Sequence, residues 1–232
     1  ILRLHFWDRA FALLKDKGAI RLESEGKNEG CWVLSMEEGE EDDKIIVRSN
    51  GTVTYTGKDI AYQLWKLGKL DRDFRYRRHR TYDDGLVLWT STSDEGEPGA
   101  PVFGHAEAVY NVIDVGQSYP QRVVKAGVAA LGHGEAASHS HHLAYEKVTL
   151  SPATARALGY DVSEEETSVK VSGRKGLGVK ADDLFDLLVE KARGEIAARD
   201  PERDASSGEA AATAIATGAL RYFLLKFGRT KI

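Results

Sequence analysis

Cations set among glycines can hold phosphate, and residues 169–183 carry such a set, V-K-V-S-G-R-K-G-L-G-V-K-A-D-D. Lys170, Arg174, Lys175 and Lys180 surround Gly173, Gly176 and Gly178, with Ser172 between the first lysine and the glycines. Glycines let backbone N–H groups approach an anion, and a helical pattern at 182–199 follows at once, so a helix N-terminus is at hand. The spacing is not that of a G-x-x-x-x-G-K-[ST] loop. A solvated basic loop between two elements is the competing reading of the same residues.

A second candidate is Tyr55-Thr56-Gly57-Lys58-Asp59. A carboxylate and a phenol at a strand end suit a cationic ligand: the carboxylate supplies charge, and the phenol supplies packing with a polar tip. A helix from about Gly57 would put Asp59 in its first turn and Tyr55 just before it. There Asp59 could equally serve the helix N-terminus alone. Gln117, just after Gly116, can donate and accept to a small polar ligand or simply complete a turn. His133, His139, His141 and His142 lie close together, but only Glu135 is near and the intervening Gly, Ala and Ser are loop formers. That spacing argues against a metal site. Residues 72–80, R-D-F-R-Y-R-R-H-R, interleave Phe74 and Tyr76 with five arginines. Such a mixture suits a nucleic-acid backbone and stacked bases, or a strand whose arginines face solvent or pair with the acidic stretch 37–43.

The elements that must position these residues follow from periodicity and punctuation. An amphipathic helix is expected over 5–17, stopped by Gly18. Short strands are expected at 19–23 and 31–36 around a polar turn, and another at 44–48 before the turn Ser49-Asn50-Gly51. A β-prone run at 52–55 leads into a helix over 57–67. Residues 70–101 read as a hairpin-like insertion with a strand at 86–90. The apolar run 108–115, Gly116-Gln117 and a helix over 120–131 form a β-turn-α unit of the parallel-sheet kind. A strand is expected at 143–150. Ser151-Pro152 starts a short helix, 200–208 reads as a linker, and 209–227 as a final helix. Alternating strands and helices imply an open α/β sheet, in which ligands sit beyond the carboxyl ends of the strands.

Composition narrows the function classes. The chain has 232 residues, 42% hydrophobic and 29% charged, with a net charge of −4. It is not a general polyanion binder, so any anionic partner must be met by local patches. The lone Cys31 excludes an internal disulfide and fits a reducing, cytoplasmic setting. No apolar run approaches the roughly 20 residues of a membrane span. The opening I-L-R-L-H-F-W-D has neither the pattern of a signal peptide nor an initiator methionine.

Three blocks, taken in order, resemble arginyl-tRNA synthetase, a class I enzyme: 52–62 (T-V-T-Y-T-G-K-D-I-A-Y), 112–117 (V-I-D-V-G-Q) and 170–176 (K-V-S-G-R-K-G). The final helix, with G-A-L-R-Y at 218–222 and Arg229-Thr230, is similar to the segment that leads into the family's helical anticodon-binding domain. The resemblance implies an ATP-dependent arginine–tRNA ligase. The arginine carboxylate attacks the α-phosphorus in line, pyrophosphate leaves, and arginine passes to tRNA. Tyr55, Asp59 and Gln117 would hold arginine. Lys170, Ser172 and Arg174, with Lys175 as a possible substitute, would stabilise charge on the ATP phosphates in the manner of a KMSKS loop. His141, His142, Leu143, Ala144 and Tyr145 stand where the family approaches adenine, and Lys170 would also contact ATP. ATP would enter as its Mg2+ complex.

The same resemblance implies a Rossmann-like parallel sheet, the partial core of a class I synthetase, with small β insertions and a C-terminal helical segment. Residues 1–43 would be a connecting or insertion segment. Residues 44–199 would form the second half of the catalytic domain with the insertion 70–101, and 200–232 would begin the anticodon-binding region. Val171 replaces the usual methionine, Glu146 stands where many relatives have glycine, and no His-x-Gly-His motif occurs in the sequence. These features lead to the expectation that the chain is a middle-to-late portion of a catalytic domain. The expected partners are arginine and tRNA, without a membrane, and homo-oligomerisation is left open. The absent motif also sustains an alternative, a non-catalytic RNA-binding module that uses 72–80 and the basic loop.

Overall fold

The computed structural model describes residues 1–36, 43–146, 149–163, 169, 180–226 and 228. The chain forms two compact units, Ile1–Ala144 and Tyr145–Ile232.

The first unit opens with α1 (Phe6–Asp16). Phe6, Ala10 and Leu14 share one helical face and are all fully buried. Gly18, at φ 65°, ends the helix, and the Ala19 N–H reaches back 2.8 Å to the Leu14 carbonyl. Strands β1 (Ile20–Leu22), β2 (Trp32–Leu34) and β3 (Lys44–Val47) form an antiparallel sheet in that order, with Ile20 opposite Leu34 and Trp32 opposite Val47. Residues 1–43, expected as a connecting segment, thus contribute Phe6, Leu14, Ile20 and Leu34 to one core with Ile46, Ile60, Val123 and Val128.

Helix α2 (Tyr55–Lys66) begins two residues earlier than its glycine suggests. Thr54 is the reason. Its hydroxyl accepts from the Gly57 N–H at 3.3 Å, and its own N–H donates to Ile46 O at 2.9 Å. The cap therefore fixes the helix start against β3. Gly57 is needed there, because a Cβ would come within 2.9 Å of Val53 and 3.1 Å of the Ile46 carbonyl.

Strands β4 (Arg75–Thr81) and β5 (Val87–Thr92) form an isolated antiparallel hairpin with a bulge between Arg78 and Arg80. Strand β6 (Val109–Asp114) leads through a 3-10 turn (Val115–Gln117) into α3 (Ser118–Ala130), short α4 (Gly134–Ser138) and β7 (Ser140–Tyr145). The pair β6–β7 is parallel: Val109 N–H meets His139 O at one end, and Ile113 O meets the His142 ring further along in both strands. This crossover is the α/β part of the fold, and the other ladders among the described residues are antiparallel. Helix α3 starts at Ser118 instead of Pro120 because Asp114 caps the Gly116 N–H and the Ser118 hydroxyl donates to Val115 O. Strand β7 starts at Ser140 instead of 143, since α4 returns the chain to the ladder at His139.

In the second unit, Ser151 caps α5 (Pro152–Ala157) by accepting from Thr154 N–H at 3.2 Å. A small cluster joins Leu150, Ala155, Val162 and Val169. Helices α6 (Ala181–Arg199) and α7 (Ala205–Lys226) pack through Val189, Ala192, Ala212 and Ala216. A forked ion pair joins them, from Arg193 to Glu209 at 2.8 and 2.9 Å. Helix α7 takes up part of the expected linker, because Asp204 accepts from the Ser206 hydroxyl and the Ser207 N–H at its start.

Candidate functional site

Helix α2 supplies the candidate cation site. With its start at Tyr55, that residue and Asp59 are one turn apart on a single face, not on either side of a helix boundary as the glycine implied. Lys58, Tyr62 and Lys66 fall on the same side, while Ile60, Ala61, Gln63 and Leu64 are buried. Tyr55 is 79% exposed, and the Lys58 ammonium sits 5.2 Å from its ring centroid. The ring already serves as a platform for a cation.

Asp59 keeps access to solvent, yet the protein crowds it. Partial desolvation raises its carboxyl above the ordinary aspartate value, and the nearby Lys66 and Lys58 oppose the shift. Lys66 shows the converse: burial lowers its ammonium pKa, and Asp59 opposes that. A partly desolvated carboxylate gains from an added cation.

Beneath this face lies a chain of polar groups that the sequence did not announce. Lys66 Nζ donates to Asn111 Oδ1 at 2.9 Å, Asn111 Nδ2 donates to Gln63 Oε1 at 3.4 Å, and Gln63 Nε2 donates to Ser140 Oγ at 3.0 Å. Gln63, Asn111 and Ser140 are 2%, 8% and 9% exposed. The chain ties α2 to β6 and β7, and no buried side-chain N or O among the described residues lacks a partner. The one available sequence signal was a glutamine in the apolar stripe of α2, between Ile60 and Leu67.

These bonds also fix direction. Lys66 O meets the Ala106 N–H ahead of β6, and Asn111 meets both Lys66 and Gln63. Helix α2 therefore runs antiparallel to β6, and its Asp59 end lies toward the carboxyl end of that strand. Gln117 follows that strand end in the 3-10 turn and is exposed. Tyr55, Asp59 and Gln117 thus share one end of the layer, although no hydrogen bond joins them among the described residues.

A groove of 1010 Å³ opens beside Tyr55, with Arg21, Glu23, Lys44, Arg48 and Tyr119 in its walls. Neither Asp59 nor Gln117 lines it.

The residues expected at adenine lie on β7. His142 Nε2 is 3.1 Å from Ile113 O, so its ring is turned into the ladder, while Leu143 is exposed and Ala144 half-buried. His141 stacks on Tyr110, with ring centroids 4.9 Å apart. His133 and His139 instead line a cavity of 590 Å³ with His105, Glu107 and Glu135, beside the ends of α2 and α3. Among the described residues no three His, Cys, Asp or Glu side chains are placed to hold a metal ion. No helix among them is long and apolar enough to cross a membrane.

Lys170, Ser172, Arg174 and Lys175 lie outside the described residues. Lys180 is described and precedes α6 as its cap residue, and Asp182 and Asp183 occupy the first turn. Those carboxylates offset the positive end of α6, so the helix N-terminus adds little to anion binding there. The proposed phosphate-holding role rests on the loop cations alone.

Comparison with known proteins follows the same lines. No family model matches the sequence. The chain is 35% identical over its whole length to the arginine–tRNA ligase of Pyrococcus furiosus, covering 34% of that protein. It is 36% identical over 97% of its length to an arginine–tRNA ligase of Thermus thermophilus, covering 35% of that protein. The solved structure of Thermus thermophilus arginyl-tRNA synthetase superposes on 99% of the chain with a TM-score of 0.71 at 32% identity, covering 35% of that structure. The chain therefore spans about a third of the length of the relatives it matches.

Proposed function

We propose that this chain is part of an arginine–tRNA ligase and carries its arginine pocket and its KMSKS-type phosphate loop. The similarity along the whole chain supports the assignment. The observation that carries it is the antiparallel packing of α2 on β6 through Gln63, Lys66 and Asn111, which collects Asp59, Tyr55 and Gln117 at one end.

In this reading Asp59 receives the guanidinium of arginine in a charge-assisted contact. Tyr55 packs along it, once Lys58 yields the ring, and Gln117 fixes the polar end of the substrate. ATP enters as its Mg2+ complex along the edge formed by His142, Leu143 and Ala144. Lys170, Ser172, Arg174 and Lys175 then offset the charge that develops on its phosphates as the arginine carboxylate attacks and pyrophosphate leaves. The contribution is positioning and electrostatic stabilisation. We place residues 44–199 in the catalytic domain and 200–232 at the start of the anticodon-binding region. A cytoplasmic setting fits the single, buried, unpaired Cys31.

The test is arginine-dependent charging of tRNA by the full-length protein, with ATP–pyrophosphate exchange measured in the presence of tRNA. Lys170→Ala should lower the rate of adenylate formation more than it raises the KM for arginine. A full-length protein that binds tRNA but charges no arginine would overturn the reading in favour of a non-catalytic RNA-binding module.

A further inference from the structure

The side chains of the hairpin β4–β5 sort by face. Arg75 pairs across the ladder with Thr92, Arg77 with Thr90 and Arg78 with Trp89. After the bulge at His79, Arg80 pairs with Leu88. Cross-strand partners share a face, and residues two apart on one strand also share it. Leu88, Thr90 and Thr92 therefore lie on one side, and with them Arg75, Arg77 and Arg80. Without the bulge, Arg80 would join Arg78 on the opposite side. The extra residue delivers a third arginine to the first face.

The two faces have different company. Arg78 lies over the Trp89 ring at 5.7 Å and faces Glu97 at 3.9 Å. Tyr76 packs on Phe103 at 4.5 Å and donates to Asp73 at 3.2 Å. Phe74 is 4.5 Å from Phe6 and 4.8 Å from Trp65. The aromatics expected to stack with bases are therefore spent on the protein. On the other face Arg77 and Arg80 are exposed, and neither has an acidic partner among the described residues. Arg80 leans on Tyr82, and Arg75 donates to the Asp94 carbonyl. The acids of the insertion sit ahead of the hairpin (Asp71, Asp73), at its tip (Asp83, Asp84) and in the following loop (Asp94, Glu95, Glu97), whereas the two strands contain none.

We infer that the Arg75–Arg77–Arg80 face docks the sugar-phosphate backbone of RNA, which for this protein means the body of its tRNA substrate. The inference rests on the proposed ligase reading for the identity of the RNA. Three guanidiniums roughly 7 Å apart along a strand, interspersed with a threonine hydroxyl at Thr90, can each meet a different phosphate. Contacts of this kind to phosphates contribute affinity without sequence choice.

The test uses the full-length protein and a transcript of an arginine-accepting tRNA, with the dissociation constant measured across a salt series. Each lost phosphate contact should lower the log–log salt slope by about 0.7 to 0.9. The triple variant R75Q/R77Q/R80Q should therefore lose about 2 to 3 units of slope and bind on the order of 100-fold more weakly near 0.1 M salt. R75K/R77K/R80K should retain most of the slope, and R78Q, on the other face, should retain all of it. A triple glutamine variant with the wild-type slope, or an R78Q variant that loses as much, would overturn the surface assignment. If the wild type charges no arginine while the slope differences persist, the ligase reading fails and the surface stands.

Discussion

The α2–β6–β7 layer and the β4–β5 hairpin are both rich in polar side chains, and they treat them in opposite ways. In the layer each polar group is handed a partner: Ser140 to Gln63, Gln63 to Asn111, Asn111 to Lys66. At the exposed end of α2, partial desolvation raises the Asp59 carboxyl. On the arginine face of the hairpin, the charges stand in water without acidic partners among the described residues. Buried, mutually satisfied groups hold a position to a fraction of an ångström, which is what selection of one small substrate requires. Solvated cations on a stiff ribbon hold a field, which suits a long polyanion. The difference in burial separates the two proposed modes of recognition, which composition alone would merge.

The largest effect is expected at Asp59. Asp59→Asn keeps the shape and removes the charge. A lost charge-assisted hydrogen bond is worth about 1.5–3 kcal/mol, so the KM for arginine in charging by the full-length enzyme should rise roughly 10- to 100-fold. The KM for ATP should stay within about two-fold. Parallel increases in both would merge the two modes again.

The next effect is on stability. Gln63→Leu strands the Ser140 hydroxyl and the Asn111 amide in the interior, at a cost of about 1–3 kcal/mol in urea unfolding. Arg77→Gln, on the hairpin, should change stability by no more than about 0.5 kcal/mol. Equal losses would show that the layer is no better held than the ribbon. Gly57→Ala belongs with the first class, since the new methyl must displace Val53 or the Ile46 carbonyl. About 1–3 kcal/mol is expected, with arginine binding weakened as α2 shifts.

The smallest predicted effect is a pH dependence. The carboxyl of Asp59 is raised in the folded protein, so the folded state binds that proton more tightly than the unfolded chain does. Stability from this group is therefore greatest at low pH, and it declines as pH rises from the ordinary aspartate range, about 3.9, through the raised value. In the proposed reading arginine binds the ionised form and should recover what ionisation costs. The rise in Tm produced by arginine should consequently shrink as pH falls through that window. The shrinkage should begin at higher pH than an ordinary aspartate allows, and it should be absent in Asp59→Asn.

Local chemistry was readable in the chain, and its support was not. Tyr55, Asp59 and Gln117 announce themselves because a strand end, a turn and a helix start are written in adjacent residues. The helix start itself was misplaced by two residues, since the Thr54 cap outweighs the glycine after it. Asn111 and Ser140 carry no such signal: their partners lie 48 and 77 residues away, and a polar residue within a strand reads as an exposed one. The bulge at His79 was equally silent, because a run of arginines has no apolar alternation to betray a change of register. Phe74 and Tyr76 looked free to stack with bases, until packing against Phe6, Trp65 and Phe103 gave them another use.

The proposed charge-reading role of the α2 carboxylate is tested by comparing arginine with citrulline, its uncharged near-isostere. Competition of each against arginine charging should be measured for the full-length wild type and for Asp59→Asn. The wild type should prefer arginine strongly, and the preference should fall by roughly 10-fold or more in the variant through weakened arginine binding. An arginine-to-citrulline ratio that is the same in both proteins would contradict it.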